Sequence, residues 1–115
     1  MMYEYDALLI RVIDADTFEM NIDLGFFVHD FVKVRLRGAN APERFTPEGK
    51  LATEYVKNWF NLYGATGVTL KTYKTDLTDK YGRWVADVIA NRDGASPRNL
   101  ATDMIAVGYA VYEGP

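Results

Sequence analysis

A small, mainly β protein with helices added, α+β in class and built as a five-stranded Greek-key barrel, is the fold the sequence predicts. Three observations predict it. Residues 18 to 24, FEMNIDL, and 31 to 37, FVKVRLR, alternate apolar and polar positions with the period of a half-buried strand. Five short strand-like stretches are interrupted by one long helical pattern between the third and the fourth. The 115 residues, 49% hydrophobic and 25% charged, have the length and composition of one folded domain, residues 1–115, with a modest core.

The elements follow in order. ALLIRVI, residues 7 to 13, is a strand whose alternation is blurred. In the next strand Phe18, Met20, Ile22 and Leu24 share the inner face, opposite Glu19, Asn21 and Asp23. In the third, Val32, Val34 and Leu36 point inward, which sends Lys33, Arg35 and Arg37 outward together. A helix then starts at Thr46, a natural N-cap, with Pro47 in the first position and Glu48 complementing the dipole. Leu51, Tyr55, Trp59 and Leu62 recur at helical spacing as its apolar face, and Gly64 is its stop. VTLKTY (68 to 73) and RWVADVIA (83 to 90) are two more strands, joined by a polar loop from Lys74 to Gly82. Asn91 to Gly94 is a turn. Ser96 and Pro97 cap a short C-terminal helix with Leu100, Met104 and Val107 on its apolar face, ending at Gly108. This order fits the partly open barrel called the OB-fold. A two-layer α+β sandwich satisfies the same pattern.

Composition excludes several chemistries. With no cysteine there is no disulfide scaffold, thiolate zinc site, iron–sulfur cluster or cysteine nucleophile. A single histidine excludes a multi-histidine metal site within one chain. No apolar run reaches bilayer-spanning length, and the opening MMYEYDALLIRVIDADT lacks the basic region and cleavage site of a secretory signal, so a cytoplasmic protein without a membrane partner is expected. The net charge of −3 is unusual for a protein that grips nucleic acid by bulk electrostatics. The cations are unevenly placed, however: seven of the 13 are Lys33, Arg35, Arg37, Lys71, Lys74, Lys80 and Arg83, which leaves room for one positive face.

Four clusters could carry chemistry. Asp14-Ala15-Asp16-Thr17 reads most simply as a hairpin turn, and as a hard-cation site if its carboxylates converge. Arg35 with Lys33 and Arg37 is either a solvated strand face or a phosphate-binding stripe. Asn40-Ala41-Pro42-Glu43 places a glutamate at a fixed point in a stiffened loop. Thr78-Asp79-Lys80-Tyr81-Gly82-Arg83 is a polar turn that delivers a second arginine at the start of a strand.

Taken together and in order, VIDADT, VRLRGANAPE and TDKYGR, with a helix between the last two, resemble the staphylococcal nuclease (thermonuclease) family from about Ile10 to Tyr112. NIDLGFF resembles the form found in bacterial and phage-encoded members. The resemblance implies an OB-fold barrel and calcium-dependent hydrolysis of phosphodiester bonds in DNA and RNA. It assigns Asp16, Asn40 and the Ala41 carbonyl to calcium, Arg35 and Arg83 to the phosphate, and Glu43 to proton transfer through a water. It places Lys80 and Tyr81 near the nucleotide phosphates, and Tyr109 or Tyr112 on the wall of a base pocket. The implied partners are DNA or RNA, with monomer and homodimer both open. Asn40 departs from the pattern, which has a second carboxylate there, so weaker calcium affinity is expected. Ala15 stands where a glycine is usual, and strains the turn if that position needs positive φ. Three tyrosines, Tyr73, Tyr81 and Tyr109, with the cationic strand, would equally serve a non-catalytic nucleic-acid-binding module. Tyr5, Phe26, Phe27 and Phe31 are either an exposed apolar patch, which would suggest a dimer, or part of the core, the more common fate of such residues.

Overall fold

The computed structural model describes residues 2–73, 83–91 and 96–113. β1 (Met2–Asp14), β2 (Thr17–Gly25) and β3 (Val28–Leu36) form an antiparallel meander. A two-residue strand β4 (Ala39–Asn40) leads to helix α1 (Pro47–Tyr63), then β5 (Val68–Tyr73) and β6 (Trp84–Ala90). β7 (Arg98–Asn99), helix α2 (Leu100–Ala106) and β8 (Val111–Tyr112) complete the order. The sheet runs β3-β2-β1-β5-β6-β7, and a parallel pairing of β3 with β6 (Val34↔Trp84, Arg35↔Val85, Leu36↔Ala86) closes five strands into a mixed barrel. This is the predicted OB-type barrel with its helix between the third and fourth barrel strands, and the sandwich alternative falls with the closure. Among the described residues no helix is long and apolar enough to cross a membrane.

The core is where the alternation puts it. Phe18, Met20 and Ile22 of β2 and Val34 and Leu36 of β3 are buried, with Leu70, Ala86 and Val88 from the returning strands. Leu24, the last of the β2 series, lies beyond the barrel on the hairpin and is half-exposed. The blurred pattern of β1 has a structural cause. Register shifts between Leu9 and Arg11 and between Val12 and Asp14 insert extra residues, so inside and outside exchange along the strand.

Both ends of α1 are as predicted. Thr46 Oγ1 accepts from the Gly49 amide at 3.0 Å, Pro47 opens the helix and Gly64 caps it. Its buried face is shifted: Trp59 is buried and Tyr55 partly buried against the core as predicted, but the rest of the face differs. Gly49, Ala52, Val56, Trp59 and Phe60 meet the barrel, whereas Leu51 and Leu62 are exposed. Two stripes one residue apart are both compatible with the helical period. The one that contains the small residues wins because it lets the helix approach the strands closely.

α2 also departs from expectation in detail. Asn99, not Ser96, is its N-cap, accepting from the Thr102 amide at 3.2 Å, and Val107 is an exposed C-cap residue. Met104 and Leu100 are fully buried as expected. Trp59 Nε1 donates to Asp103 Oδ2 at 2.8 Å and ties α1 to α2.

The aromatic residues of the second hairpin are not in the core. Gly25 pairs with Val28, leaving Phe26 and Phe27 as its two turn residues, both at positive φ (53° and 64°) and fully exposed. Such a turn normally takes Asn-Gly. Phe31 is also exposed, and Tyr5 is half-buried edge-on to Trp84. A strand pattern read for inside and outside does not see that a tight turn has no inside.

Candidate phosphate and metal site

One row across the barrel builds the site. Thr17, the first residue of β2, is opposite Arg35 of β3, and Arg35 is opposite Val85 of β6 across the closing seam. Asp16 precedes this row in the β1–β2 turn, and Arg83 stands two residues before Val85, at the entry to β6. Arg83 Nη1 donates to Thr17 Oγ1 at 3.4 Å, which places the second arginine beside the first row of residues. β4 follows β3 through Gly38, whose φ of +86° gives the tight turn that brings Asn40 and Ala41 back over Arg35.

Asp16 is buried, and its carboxylate organises the loop after β4. Oδ2 accepts from the Ala41 amide at 2.9 Å and lies 3.6 Å from Arg35 Nη1. Oδ1 accepts from Thr17 Oγ1 at 3.3 Å. The Asp16 carbonyl accepts from the Leu36 amide at 2.8 Å and fixes the turn to β3. Asp14 does a parallel job, accepting from the Arg44 amide at 3.3 Å. The two carboxylates of the turn thus hold the backbone of the loop that carries Asn40, Ala41 and Glu43. Ala15 between them is fully buried and, among the described residues, only Phe26 and Phe27 have positive φ without being glycine. The expected strain at Ala15 is therefore absent, because this turn does not need a left-handed residue.

Arg35 is not the solvated cation that outward alternation predicted. Its side chain is only 13% exposed because β4 and β8 cover it. Nη1 donates to the carbonyls of Leu36 and Ala39, both at 2.8 Å. Nη2 donates to Asn40 Oδ1 at 3.2 Å and to Glu113 Oε2 at 3.0 Å. One nitrogen is committed to the fold, and the other faces side chains. Lys33 stays exposed, and Arg37 turns toward Asp87 at 3.9 Å, so the three cations do not form one stripe.

Glu43 is positioned by its backbone. Its carbonyl accepts from both the amide and the hydroxyl of Thr46, at 3.1 and 2.7 Å, so the capping residue of α1 also fixes the catalytic candidate. A Cβ on Gly49 would lie 1.6 Å from the Glu43 carbonyl oxygen, so only glycine lets the helix start against this residue. The Glu43 side chain itself is exposed. Gly49→Ala should therefore lower stability by about 1–3 kcal/mol through overpacking. Denaturant unfolding beside Lys50→Ala, at an exposed position one residue on, checks this.

Four predicted residues remain. Lys80 and Tyr81 lie outside the described residues, as does the rest of the loop from Lys74 to Gly82. Tyr109 packs against Tyr55 with ring centroids 5.3 Å apart, and burial, with Asp103 nearby, pushes the Tyr55 phenol above its ordinary value. Tyr112 is exposed in β8, opposite Ala39, and is the tyrosine next to the site. Sequence reasoning placed Thr17 in the turn cluster without a role of its own and passed over Glu113. Thr17 was legible as the residue that must face Arg35 once the hairpin is paired. Glu113 carried no signal, since its place depends on a two-residue strand.

The donor set can be matched to a cation by its chemistry. Asp16 carboxylate, Asn40 amide oxygen and Ala41 carbonyl are all hard oxygen donors of the kind calcium takes. They bring a single negative charge, and among the described residues no three acidic, histidine or cysteine side chains group together to hold a metal.

Comparison with known families places the chain in one of them. A family model described as Staphylococcal nuclease homologue covers residues 33–114, most of the chain, and includes Arg35, Asn40, Glu43 and Arg83. A search of curated proteins found no match.

Proposed function

We propose a nuclease function for this chain, which belongs to the staphylococcal nuclease homologue family: hydrolysis of phosphodiester bonds in DNA or RNA, assisted by a hard divalent cation, with calcium the first candidate. One observation carries the reading. Asp16, Arg35, Asn40 and Arg83 converge on one row of the barrel, and the loop bearing Glu43 is tied to the same turn by backbone hydrogen bonds.

The chemistry follows from the groups. A phosphodiester is anionic and repels nucleophiles. Arg35, its Nη1 held by two carbonyls, offers Nη2 to a phosphoryl oxygen in exchange for its side-chain acceptors, and Arg83 offers a second guanidinium to the charge that grows in the transition state. Glu43, exposed on a fixed backbone, accepts the proton of the attacking water. Asp16, Asn40 and the Ala41 carbonyl would hold the cation, which supplies charge neutralisation and a template for phosphate and water. By family resemblance Tyr112, Lys80 and Tyr81 are assigned to contacts with the nucleotide; Lys80 and Tyr81 lie outside the described residues.

The test is cleavage of plasmid and single-stranded DNA with calcium and with a chelator. Cleavage that needs calcium is expected; a folded protein that cleaves neither substrate at high calcium would sink the enzymatic reading. Asn40 favours one alternative, a catalytically weak or inactive nucleic-acid-binding module, because an amide brings no charge to the cation. Asn40→Asp should accordingly tighten calcium binding about tenfold, since affinity follows the number of charged ligands. Calorimetric titration reads this directly, and an unchanged midpoint would remove Asn40 from the donor set.

A further inference from the structure

We infer that Glu113 is a built-in occupant of the phosphate arm of Arg35, a carboxylate that any phosphate ligand must displace. The inference rests on the phosphate-binding role proposed for Arg35 and adds a regulation of that site.

Four observations carry it. Arg35 spends Nη1 on the Leu36 and Ala39 carbonyls, so Nη2 is the nitrogen left to meet an anion. Glu113 Oε2 sits on that nitrogen at 3.0 Å, as a charge-assisted hydrogen bond of the same kind a phosphoryl oxygen would make. The contact is specified by the fold. β8 pairs with β4 (Ala39↔Tyr112, Asn40↔Val111), and the Glu113 amide donates to the Gly38 carbonyl at 3.2 Å, which sets this residue over Arg35. The two partners differ in access, with the Arg35 side chain 13% exposed and that of Glu113 55% exposed. The lid is therefore more solvated than the group beneath it.

The consequence is a competition. A ligand binds only the fraction of molecules in which Nη2 has been released, so apparent affinity falls by that fraction. The pair is partly solvated and held by a two-residue strand, so it is weak enough to open. While closed, it keeps Arg35 neutralised and in place. Asn40 Oδ1 accepts from the same nitrogen, so displacement of Glu113 also changes the surroundings of the proposed cation donor.

The experiment compares wild type, Glu113→Gln and Glu113→Ala with Glu54→Gln, which removes an exposed carboxylate from α1. Binding of inorganic phosphate is titrated by NMR chemical shift. Binding of a labelled single-stranded DNA oligonucleotide is titrated in chelator, so that no cleavage occurs. Both Glu113 variants should bind phosphate about fivefold more tightly than wild type, the factor expected for losing one weak ion pair. Glu54→Gln should not. If phosphate binding tightens but no variant binds the oligonucleotide, the gate stands and the nucleic-acid reading falls. Phosphate affinity that is unchanged or weaker in both Glu113 variants, or equally raised in Glu54→Gln, overturns the gate whatever the oligonucleotide does. A calorimetric calcium titration of wild type and Glu113→Gln completes the set: loss of calcium affinity in the variant without a gain for phosphate also overturns the gate, and makes Glu113 a cation donor instead.

Discussion

Glu43→Gln should reduce phosphodiester cleavage by about 10²–10⁴-fold, the range for removing a general base, with little change in melting temperature. The expectation is sharp because the two roles of this residue are separable. Its backbone carbonyl is bonded to Thr46 and abuts Gly49, whereas its side chain is exposed. Glutamine keeps the backbone and the shape but cannot take a proton. Oligonucleotide affinity in chelator should be unaffected, because binding falls to the arginines. Cleavage within tenfold of wild type would take proton transfer away from Glu43 and favour the non-catalytic module.

Arg35→Lys should cost activity and stability together. A lysine has one nitrogen, where Arg35 uses Nη1 for the Leu36 and Ala39 carbonyls and Nη2 for side-chain acceptors. If the ammonium serves the carbonyls, the phosphate loses its donor, and cleavage falls about 10²–10³-fold. If it serves the phosphate, covered carbonyls go unpaired at a cost of about 1–3 kcal/mol. Thermal melts and cleavage rates, measured beside Arg11→Lys on the exposed face of β1, separate this from a general effect of the exchange. A variant that keeps both stability and rate would show that the fork geometry is irrelevant.

The barrel was legible because β2 and β3 alternate cleanly, so two strands fixed an inside and the rest followed. The caps of α1 were legible for a related reason: Thr46, Pro47 and Gly64 act within a turn of their own position. What failed were readings that needed a partner. The α1 stripe was chosen by contact with the barrel, and Arg35 became covered only because β4 and β8 fold over it. For Phe26 and Phe27 the exposed reading holds and core packing does not, because they occupy the turn between β2 and β3. Within the site, Asp16 and Arg35 were visible from motif order, while Thr17 and Glu113 emerge from register. The family match spans the second and third motifs and begins after the Asp16 turn. The assignment of each side chain to a step remains the proposal that the variants above address.

The parallel seam between β3 and β6 also bears on how the protein acquires activity. It joins residues nearly half the chain apart, with β4, α1 and β5 between them. Contacts of that separation form late, because the intervening loop must be ordered before they contribute. Arg35 lies in the seam and Arg83 at its start, so the two guanidiniums meet only when the barrel shuts. A refolding chain should regain secondary structure before it regains any affinity for phosphate. Half-folded molecules, common in a crowded cell during synthesis, would then be unable to touch nucleic acid through this site.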